Sequence, residues 1–264
     1  MPETIYKTDY HLHTTYSDGK AAPEEYIVPA INAGLKEIGF SEHISLFSEE
    51  QKWCMNPGNI SIYLEHIENL KKKSSNPVIR TGLEVDYLPG KEKEIQSYLS
   101  NLELDFVLGS VHYLGEKTVD ESPDFYEGKD FDSLFEEYFY RVIAAASSGL
   151  FDIIAHCDLI RIYGYRPTYD PEYLYRMLAK SFRKSDVAFE LNTNGRNRPL
   201  ADFYPDRRFL HIFSEEKVPL CINSDAHTPV RLAQYFDEAY DLARSAGFSE
   251  MAVFKGRKRK MVPL

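Results

Sequence analysis

Six short stretches of the chain end in histidines or acids, the residue types that bind metals. They are residues 9–13 (DYHLH), 38–43 (IGFSEH), 81–87 (TGLEVDY), 108–114 (LGSVHYL), 153–158 (IIAHCD) and 221–227 (CINSDAH). Six of the eight histidines lie in these stretches. The apolar residues that precede them are typical of buried strands. Nitrogen and carboxylate donors repeated at strand ends indicate a site for several divalent metal ions.

Two of the stretches carry donors two residues apart. His11 and His13 form an HxH pair, and Asp225 and His227 form a DxH pair. Side chains at positions i and i+2 of an extended segment project to the same side. Each pair can therefore supply one metal or two neighbouring metals. The two pairs together, on the first and the last predicted strand, indicate a metal site more strongly than HxH alone.

The single histidines are weaker signals. A lone histidine is more often an ordinary polar residue than a ligand, and we accept that interpretation for His66 and His211, which lie in helical patterns. For His43, His112 and His156, each considered alone, the two interpretations are balanced. Their shared position at strand ends favours metal binding.

Acidic residues extend the pattern. Glu84 lies in a buried strand pattern, where a carboxylate without a cation would be unfavourable, so we predict that it bridges metals. Asp86 and Asp9 share strand faces with predicted ligands and are expected to support them. Asp18, in the segment TTYSDGK, is typical of a turn aspartate before glycine, and spacing alone favours that interpretation.

The elements that would position these donors alternate along the chain. Strands are predicted at residues 5–12, 37–41, 78–85, 106–111, 152–155, 188–192 and 219–223, and helices at 23–33, 60–73, 92–101, 131–148, 171–185, 207–216 and 228–246. This alternation implies a parallel sheet. Seven units without a break in composition predict one α/β barrel domain over residues 1–264, with its ligands at the carboxyl ends of the strands.

Two further segments have a distinctive composition. Residues 115–130 are polar and acidic, and we predict a long loop beside the ligands that could act as a lid. Residues 255–260 (KGRKRK) are basic, and we predict a solvated chain end rather than a nucleic-acid contact.

Composition limits the classes of function. The formal net charge is -10, which disfavours nucleic-acid partners unless a basic patch offsets it. The three cysteines are far apart and form no CxxC motif, so a reducing cytoplasm is expected. Neither a signal peptide nor a membrane span is apparent, and no membrane partner is expected. The high tyrosine content (19 residues) is compatible with a homo-oligomer.

The motifs HLHTTYSDG, GFSEH, GLEVDY, GSVHYL, AHCDL, ELNTNG and NSDAH, taken together and in this order, resemble the PHP (polymerase and histidinol phosphatase) superfamily. The resemblance runs from residue 9 to beyond residue 227 and is nearest to the monofunctional histidinol-phosphate phosphatases. It implies a distorted (β/α)7 TIM-like barrel with three divalent metal ions, which could be zinc, iron or manganese.

The resemblance also implies a division of ligands among the three metals. One metal would be held by His11, His13, Glu84 and Asp225, a second by Glu84, His112 and His156, and a third by Asp18, His43 and His227. Asp18 thereby becomes a predicted ligand instead of a turn residue. Glu84, Asp225 and His227 are the residues predicted to take part in catalysis.

The expected activity is hydrolysis of a small-molecule phosphate monoester, L-histidinol phosphate, in histidine biosynthesis. Two metals would share a hydroxide of lowered pKa, which attacks phosphorus in line with the leaving alkoxide. The sequence contains no P-loop and no motif for a Ser or Cys nucleophile, so a covalent phosphoenzyme is not expected.

Arginines suit phosphate because the planar guanidinium donates two hydrogen bonds at once. Arg161 follows the AHCDLI segment, and Arg196 and Arg198 follow ELNTNG, so all three are predicted phosphate contacts. The family carries an arginine after its NTxG motif. The variant NTNGRNRP leaves the choice between Arg196 and Arg198 open, and we favour Arg198. Asp158 is a candidate partner for the substrate's ammonium group.

Three other functions stay open on the sequence alone. The chain could be a PHP phosphoesterase for another monoester or for nucleic-acid ends, although its acidity argues against long nucleic acids. It could be an amidohydrolase-like metal hydrolase, although Glu84 stands where those enzymes usually carry a modified lysine. It could be an inactive barrel, but all nine predicted ligand positions retain donor residues.

Overall fold

The computed structural model describes residues 5–46 and 52–264. The strands in these ranges are β1 (Thr8–Leu12), β2 (Glu37–Ile44), β3 (Val78–Asp86), β4 (Phe106–Ser110), β5 (Tyr113–Leu114), β6 (Lys117–Thr118), β7 (Ile153–Ile154), β8 (Ala188–Asn192), β9 (Leu220–Asn223), β10 (Glu250–Lys255) and β11 (Lys258–Pro263). The α-helices are α1 (Ile27–Asn32), α2 (Ile60–Lys73), α3 (Glu92–Leu99), α4 (Phe131–Ser147), α5 (Glu172–Ser185), α6 (Leu210–Glu215) and α7 (Phe236–Ser245).

Within the described residues, seven strands form one sheet in the order β1-β2-β3-β4-β7-β8-β9, and every pairing in it is parallel. The sheet nearly closes on itself. Beyond β9, Ala226 forms a parallel bridge with Leu12, the last residue of β1. The backbone N–H of His13 donates to the Ala226 carbonyl at 3.0 Å. The predicted barrel of seven β/α units is therefore confirmed, and its two ends meet where the HxH and DxH pairs lie.

The barrel strands are buried on both faces, as expected of a parallel sheet enclosed by helices. All five residues of β1, all eight of β2 and all five of β8 are buried. The helices cover the outside with one apolar face each. In α5 this face comprises Leu174, Tyr175, Leu178, Ala179 and Phe182. Within the described ranges, no helix is long and apolar enough to cross a membrane.

As predicted, most of the basic segment 255–260 is exposed to solvent. It forms the turn and the flanking strand residues of an antiparallel hairpin between β10 and β11, which was not predicted. Gly256 and Arg257 both have positive φ, as in the two-residue turns that match strand twist. Arg257 donates to the Asp152 carboxylate at 2.8 Å, and Arg259 donates to Asp186 at 2.6 Å. Both acids precede barrel strands, so the hairpin covers the amino ends of the strands, opposite the predicted ligands.

Several predicted helices are shorter in the structure. Residues 228–246 contain a 3-10 turn at Pro229–Arg231, and α7 begins only at Phe236. Residues 23–33 and 207–216 likewise begin with 3-10 turns, at Pro23–Tyr26 and Arg207–Phe209. The predicted loop 115–130 contains β6 and a 3-10 turn at Pro123–Tyr126.

Candidate metal centre and active site

The nine predicted ligands converge at the carboxyl ends of the barrel strands. His11, His43 and Glu84 lie within β1, β2 and β3, and the remaining donors follow strand ends or lie in the loop after β1. The remaining donors are His13, Asp18, His112, His156, Asp225 and His227. Residues separated by more than 200 positions in the chain thus share one volume, which the alternation of strands and helices predicts.

Glu84 is at the centre of the cluster, and its side chain is fully buried. Its Oε2 atom lies 2.9 Å from His43 Nδ1 and 3.0 Å from His11 Nε2, and its Oε1 atom lies 3.0 Å from His156 Nε2. His13 Nε2 is 3.4 Å from Oε2, and His112 Nε2 is 3.7 Å from Oε1. One carboxylate therefore contacts five imidazoles, as a bridging ligand would.

The donor atoms form four overlapping groups, each with its ligand atoms within 4.8 Å of one another. The groups are His13, Asp18, His43 and His227; His11, Glu84 and His156; His11, His13 and Asp225; and His43, Glu84 and His112. Mixed nitrogen and oxygen donors at this spacing can hold zinc, iron or manganese. In the described part of the chain, the ion-pair partners of Glu84 are all histidines. A buried carboxylate in that setting fits a site built for cations.

Electrostatics hold three members of the cluster in the forms that bind metals, whereas the nearby carboxylates outweigh burial and raise the pKa of His11, His112 and His227, which would have to lose a proton on binding. Burial opposes ionisation of Glu84, yet the neighbouring histidines hold its pKa well below the usual range. Asp225 behaves in the same way, with His11 and His13 outweighing burial to lower its pKa. Burial and the adjacent His43 and His227 lower the pKa of His13 to about 3, so its imidazole is neutral. Ionised carboxylates and neutral imidazoles are the forms that ligate metals.

Two carboxylates behind the ligands fix the orientation of histidine rings. Asp86 Oδ1 lies 2.7 Å from His112 Nδ1, and Glu190 Oε1 lies 2.7 Å from His11 Nδ1. An imidazole that donates Nδ1–H to a carboxylate presents its Nε2 lone pair to a metal. Asp86 has the supporting position that its strand face predicts.

Glu190 was missed by sequence reasoning, although a signal for it exists. It lies in β8, all of whose residues are buried, two residues before Asn192 and on the same face. Its Oε2 atom accepts hydrogen bonds from the backbone N–H of His156 and from Asn192 Nδ2, both at 2.9 Å. Asn223 Nδ2 donates to Oε1 at 2.9 Å. An acid in the middle of a buried strand is as unusual as Glu84 and points to the same site.

Two further buried acids hold the loops that carry ligands. Asp9 accepts hydrogen bonds from the backbone N–H groups of Ser224 and Ala233 and thereby fixes the segment that bears Asp225. Burial raises the pKa of Asp9 to about 7, against the effect of these hydrogen bonds. Glu42 accepts from the Thr14 hydroxyl at 2.7 Å and from the Ser17 hydroxyl at 2.5 Å, beside Asp18.

A cavity of about 480 Å³ opens above the cluster. Its lining includes the donors Asp18, His43, His112, His156, Asp225 and His227. The cavity is also lined by Trp53, Asp120, Glu121, Leu159, Ile162 and Arg198. The Trp53 ring lies edge-on to His43, with 4.9 Å between ring centroids. Loop 115–130 contributes Asp120 and Glu121 and so lies beside the ligands, as predicted.

The predicted substrate contacts separate into two groups. Arg198 lines the cavity. Arg161 does not: its side chain is 2% exposed, and Nη1 donates to Asp158 at 2.6 Å. Asp158 is fully buried and also accepts from Tyr175 Oη at 2.6 Å. Arg196 is paired with Glu238 at 2.7 Å, outside the cavity lining. Arg161, Asp158 and Arg196 therefore pair with other side chains outside the cavity lining, whereas Arg161 Nη2 and Asp158 Oδ1 have no hydrogen-bond partner among the described residues. Their contacts with substrate stay predictions.

Other sequence expectations are resolved by the same geometry. His66 lies in α2 and contacts Tyr16 Oη at 2.8 Å and Glu24 at 2.6 Å, away from the metal donors. Cys157 is buried in the apolar core, as expected from its orientation opposite His156.

Comparison with known proteins agrees with this geometry. A family model described as "PHP domain" matches residues 9–194. A probable histidinol-phosphatase of Deinococcus radiodurans is 33% identical over 97% of this chain and 98% of its own length. A histidinol-phosphatase of Lactococcus lactis is 26% identical over 96% of both chains. The crystal structure of histidinol phosphate phosphatase from Lactococcus lactis, complexed with zinc, L-histidinol and phosphate, superposes with a TM-score of 0.85 at 25% identity, covering 97% of this chain and 100% of that one.

Proposed function

Because the chain belongs to the PHP domain family, we propose that it is a metal-dependent phosphomonoesterase that hydrolyses L-histidinol phosphate to L-histidinol and phosphate. The observation that carries the proposal is the constellation around Glu84, where nine donors meet below a cavity that Arg198 also lines. Relatives that share nearly the whole length of this chain are named for the same activity.

Three divalent metals fit the donor set. Glu84, His11, His13 and Asp225 would hold one, Glu84, His112 and His156 a second, and Asp18, His43 and His227 the third. When bound, the metals would supply a water of lowered pKa and neutralise charge on the phosphoryl oxygens. The likeness to a zinc-containing phosphatase makes zinc the first choice. Iron and manganese accept the same donors.

The side chains of this protein then have distinct tasks. Arg198 would donate hydrogen bonds to phosphoryl oxygens, where a guanidinium can pair with two of them. Asp86 and Glu190 keep the rings of His112 and His11 in position. Glu84, Asp225 and His227 would act on the reaction through the metals that they hold.

The bond changes are those of direct hydrolysis. A water oxygen forms a bond to phosphorus while the bond from phosphorus to the alcohol oxygen breaks. One proton of the water is lost to solvent, and the departing alkoxide takes up a proton to become L-histidinol. No side chain needs to be phosphorylated, so a single in-line displacement should invert the configuration at phosphorus, whereas a phosphoenzyme would give retention.

A panel of phosphate monoesters tests the substrate. L-Histidinol phosphate should be turned over with a kcat/KM at least about 100-fold above that of phenyl phosphate or 3'-terminal nucleotides, a ratio typical of a substrate whose polar groups are recognised. Efficient hydrolysis of nucleotide ends, with little of histidinol phosphate, would favour the nucleic-acid alternative. Turnover of an amide or lactone without phosphatase activity would favour an amidohydrolase-like enzyme.

The surroundings of the reaction follow from the same proposal. The three cysteines, Cys54, Cys157 and Cys221, are free thiols, which suits a reducing cytoplasm. The substrate is a small molecule, and the net charge of -10 argues against a nucleic-acid partner. We also propose that residues 1–264 form a single barrel domain.

A further inference from the structure

The cavity contains a carboxylate that neither the metal centre nor the phosphate end of the substrate uses. Asp120 lines the cavity together with the more exposed Glu121. In the part of the chain that the structure describes, the Asp120 carboxylate makes neither a hydrogen bond nor an ion pair. Asp158, the acid expected from the sequence to meet the substrate's ammonium group, is buried against Arg161.

The position of Asp120 is fixed by its backbone. Tyr163 Oη donates to the Asp120 carbonyl at 2.7 Å. The preceding residue, Val119, donates its N–H to the His112 carbonyl at 2.8 Å and accepts from Tyr126 Oη at 2.8 Å. These hydrogen bonds fix the backbone at Val119 and Asp120, and the Asp120 side chain is partly buried.

Asp120 does not serve the metal centre. The ring nitrogen of His112 that faces away from Glu84 is occupied by Asp86, 2.7 Å from Nδ1. Asp120 belongs to none of the groups of donors close enough to hold a metal ion together. It is near enough to His112 to help raise the pKa of that ring, so it lies within electrostatic range of the reaction site.

A free carboxylate is unfavourable in a cavity that must accept a phosphate dianion. Like charges in a partly desolvated cavity repel each other more strongly than in water. The repulsion becomes an attraction only if the substrate places a cation between its phosphate and the acid. L-Histidinol phosphate has such a group, the ammonium next to the carbon that bears the ester oxygen.

We propose that Asp120 recognises the alcohol end of the substrate by accepting hydrogen bonds from its ammonium group, with Glu121 adding a weaker charge. This inference rests on the proposed function, because it names what the same cavity selects in its substrate. Arg198 and the metals would bind the phosphate end, and Asp120 would bind the cationic end. The pair of opposite charges would fix the direction in which the ester enters and would reject phosphate esters without a cation.

The test compares two substrates in two variants. The substrates are L-histidinol phosphate and its deamino analogue, which keeps the imidazole and the phosphate but lacks the ammonium group. Asp120→Asn should lower kcat/KM for L-histidinol phosphate by about 10- to 100-fold, the range for one lost hydrogen bond between charged groups. For the deamino analogue the same variant should raise kcat/KM by about two- to fivefold, because a repulsive charge near the phosphate is removed.

Asp124→Asn is the matched control. Asp124 is an exposed acid on the same loop and lies outside the cavity lining. Its substitution removes the same charge and should leave kcat/KM for both substrates within twofold of the wild type. Metal content of all variants, measured by elemental analysis, should equal that of the wild type.

Each outcome separates the inference from the proposed function. Equal losses on both substrates in Asp120→Asn would show a structural role and overturn the inference while leaving the phosphatase assignment intact. An unchanged preference for L-histidinol phosphate would also overturn it. Wild-type protein that hydrolyses phenyl phosphate but neither imidazole ester would refute the proposed substrate, and the inference with it.

Discussion

Replacing Glu190 by glutamine tests whether the carboxylate behind the ligands governs metal binding. Four donors face this side chain: His11 Nδ1 and Asn223 Nδ2 at Oε1, and the His156 N–H and Asn192 Nδ2 at Oε2. Glutamine has the same shape, but one of its two positions is an amide nitrogen that only donates. Whichever position that nitrogen takes, two donors lose their acceptor.

The magnitude follows from this count. Each buried donor left without a partner costs about 1–3 kcal/mol, and partial relaxation brings the expected loss for the pair to about 2–4 kcal/mol of the free energy of unfolding. The amide nitrogen facing His11 would also favour the tautomer with its proton on Nε2, which removes the lone pair that a metal needs. Loss of such an orienting partner weakens metal affinity about 10- to 100-fold.

Two measurements separate these effects. Urea unfolding of the metal-free protein reports the stability loss, and competition with a chromophoric chelator reports the metal affinity. Glu37→Gln is the matched control: Glu37 is a buried acid at the amino end of β2 that accepts from Tyr6 Oη, Tyr10 Oη and Arg80 Nε. It should lose comparable stability and keep wild-type metal affinity.

The reasoning would be refuted if Glu190→Gln and Glu37→Gln gave the same chelator titration. In that case Glu190 would stabilise the barrel without orienting the ligands. Full retention of metal affinity together with full retention of stability would show that the four hydrogen bonds of Glu190 are readily replaced by water.

Further predictions concern the other charged groups. Glu84→Ala should lower the bound metal by at least one equivalent, as measured by elemental analysis. It should also lower kcat/KM by about 1,000-fold or more, equivalent to about 4 kcal/mol, as measured from initial rates. A wild-type metal content would contradict the bridging role. Arg198→Ala should raise KM for the phosphate ester about 10- to 100-fold with a smaller change in kcat, and an unchanged KM would exclude it from phosphate binding. Arg161→Ala should instead lower the free energy of unfolding by about 3–5 kcal/mol, because Asp158 is left as a buried unpaired charge. At a temperature where the variant is still folded, its KM should stay within twofold of the wild-type value. Removal of the metals by a chelator should lower the melting temperature by about 8–16 °C if they contribute about 4 kcal/mol, and calorimetry with and without zinc measures the shift.

The ligand cluster could be predicted from the sequence because parallel barrels impose a simple rule. The carboxyl ends of their strands meet at one rim, so a histidine such as His43 or His156 needs only a strand end to reach it. Glu84 could be predicted from the mismatch between a charged side chain and a buried pattern. The same mismatch exists at Glu190, but residues 188–192 were used only to predict a strand and the acid within them was not weighed.

The arginines show where position along the chain ceases to be informative. Arg161 follows a ligand-bearing strand as closely as Arg198 follows its own, yet only Arg198 lines the cavity. The difference is the long-range partners of Arg161, since Asp202 and Asp206 lie within 3.6 Å of its guanidinium and arrive from another loop. Loop geometry of this kind depends on tertiary packing, and local spacing contains little information about it. The hairpin at residues 250–263 was missed for another reason. Only the charge of its basic residues was considered, and the alternation of apolar and basic residues, which is typical of a strand, was not.

Charge distribution explains how an acidic protein can bind an anionic substrate in one direction. The protein has a net charge of -10, so most of its surface repels phosphate. Three divalent ions would bring six positive charges against the three carboxylates among their ligands, and Arg198 adds one more at the cavity wall. That excess would face a cavity of about 480 Å³ whose lining also contains the negative charge of Asp120. A zwitterionic ester then has one favourable orientation, with its phosphate over the metals. A simple anion gains from the metals alone, so inorganic phosphate should compete with substrate in wild type and compete more strongly in Asp120→Asn.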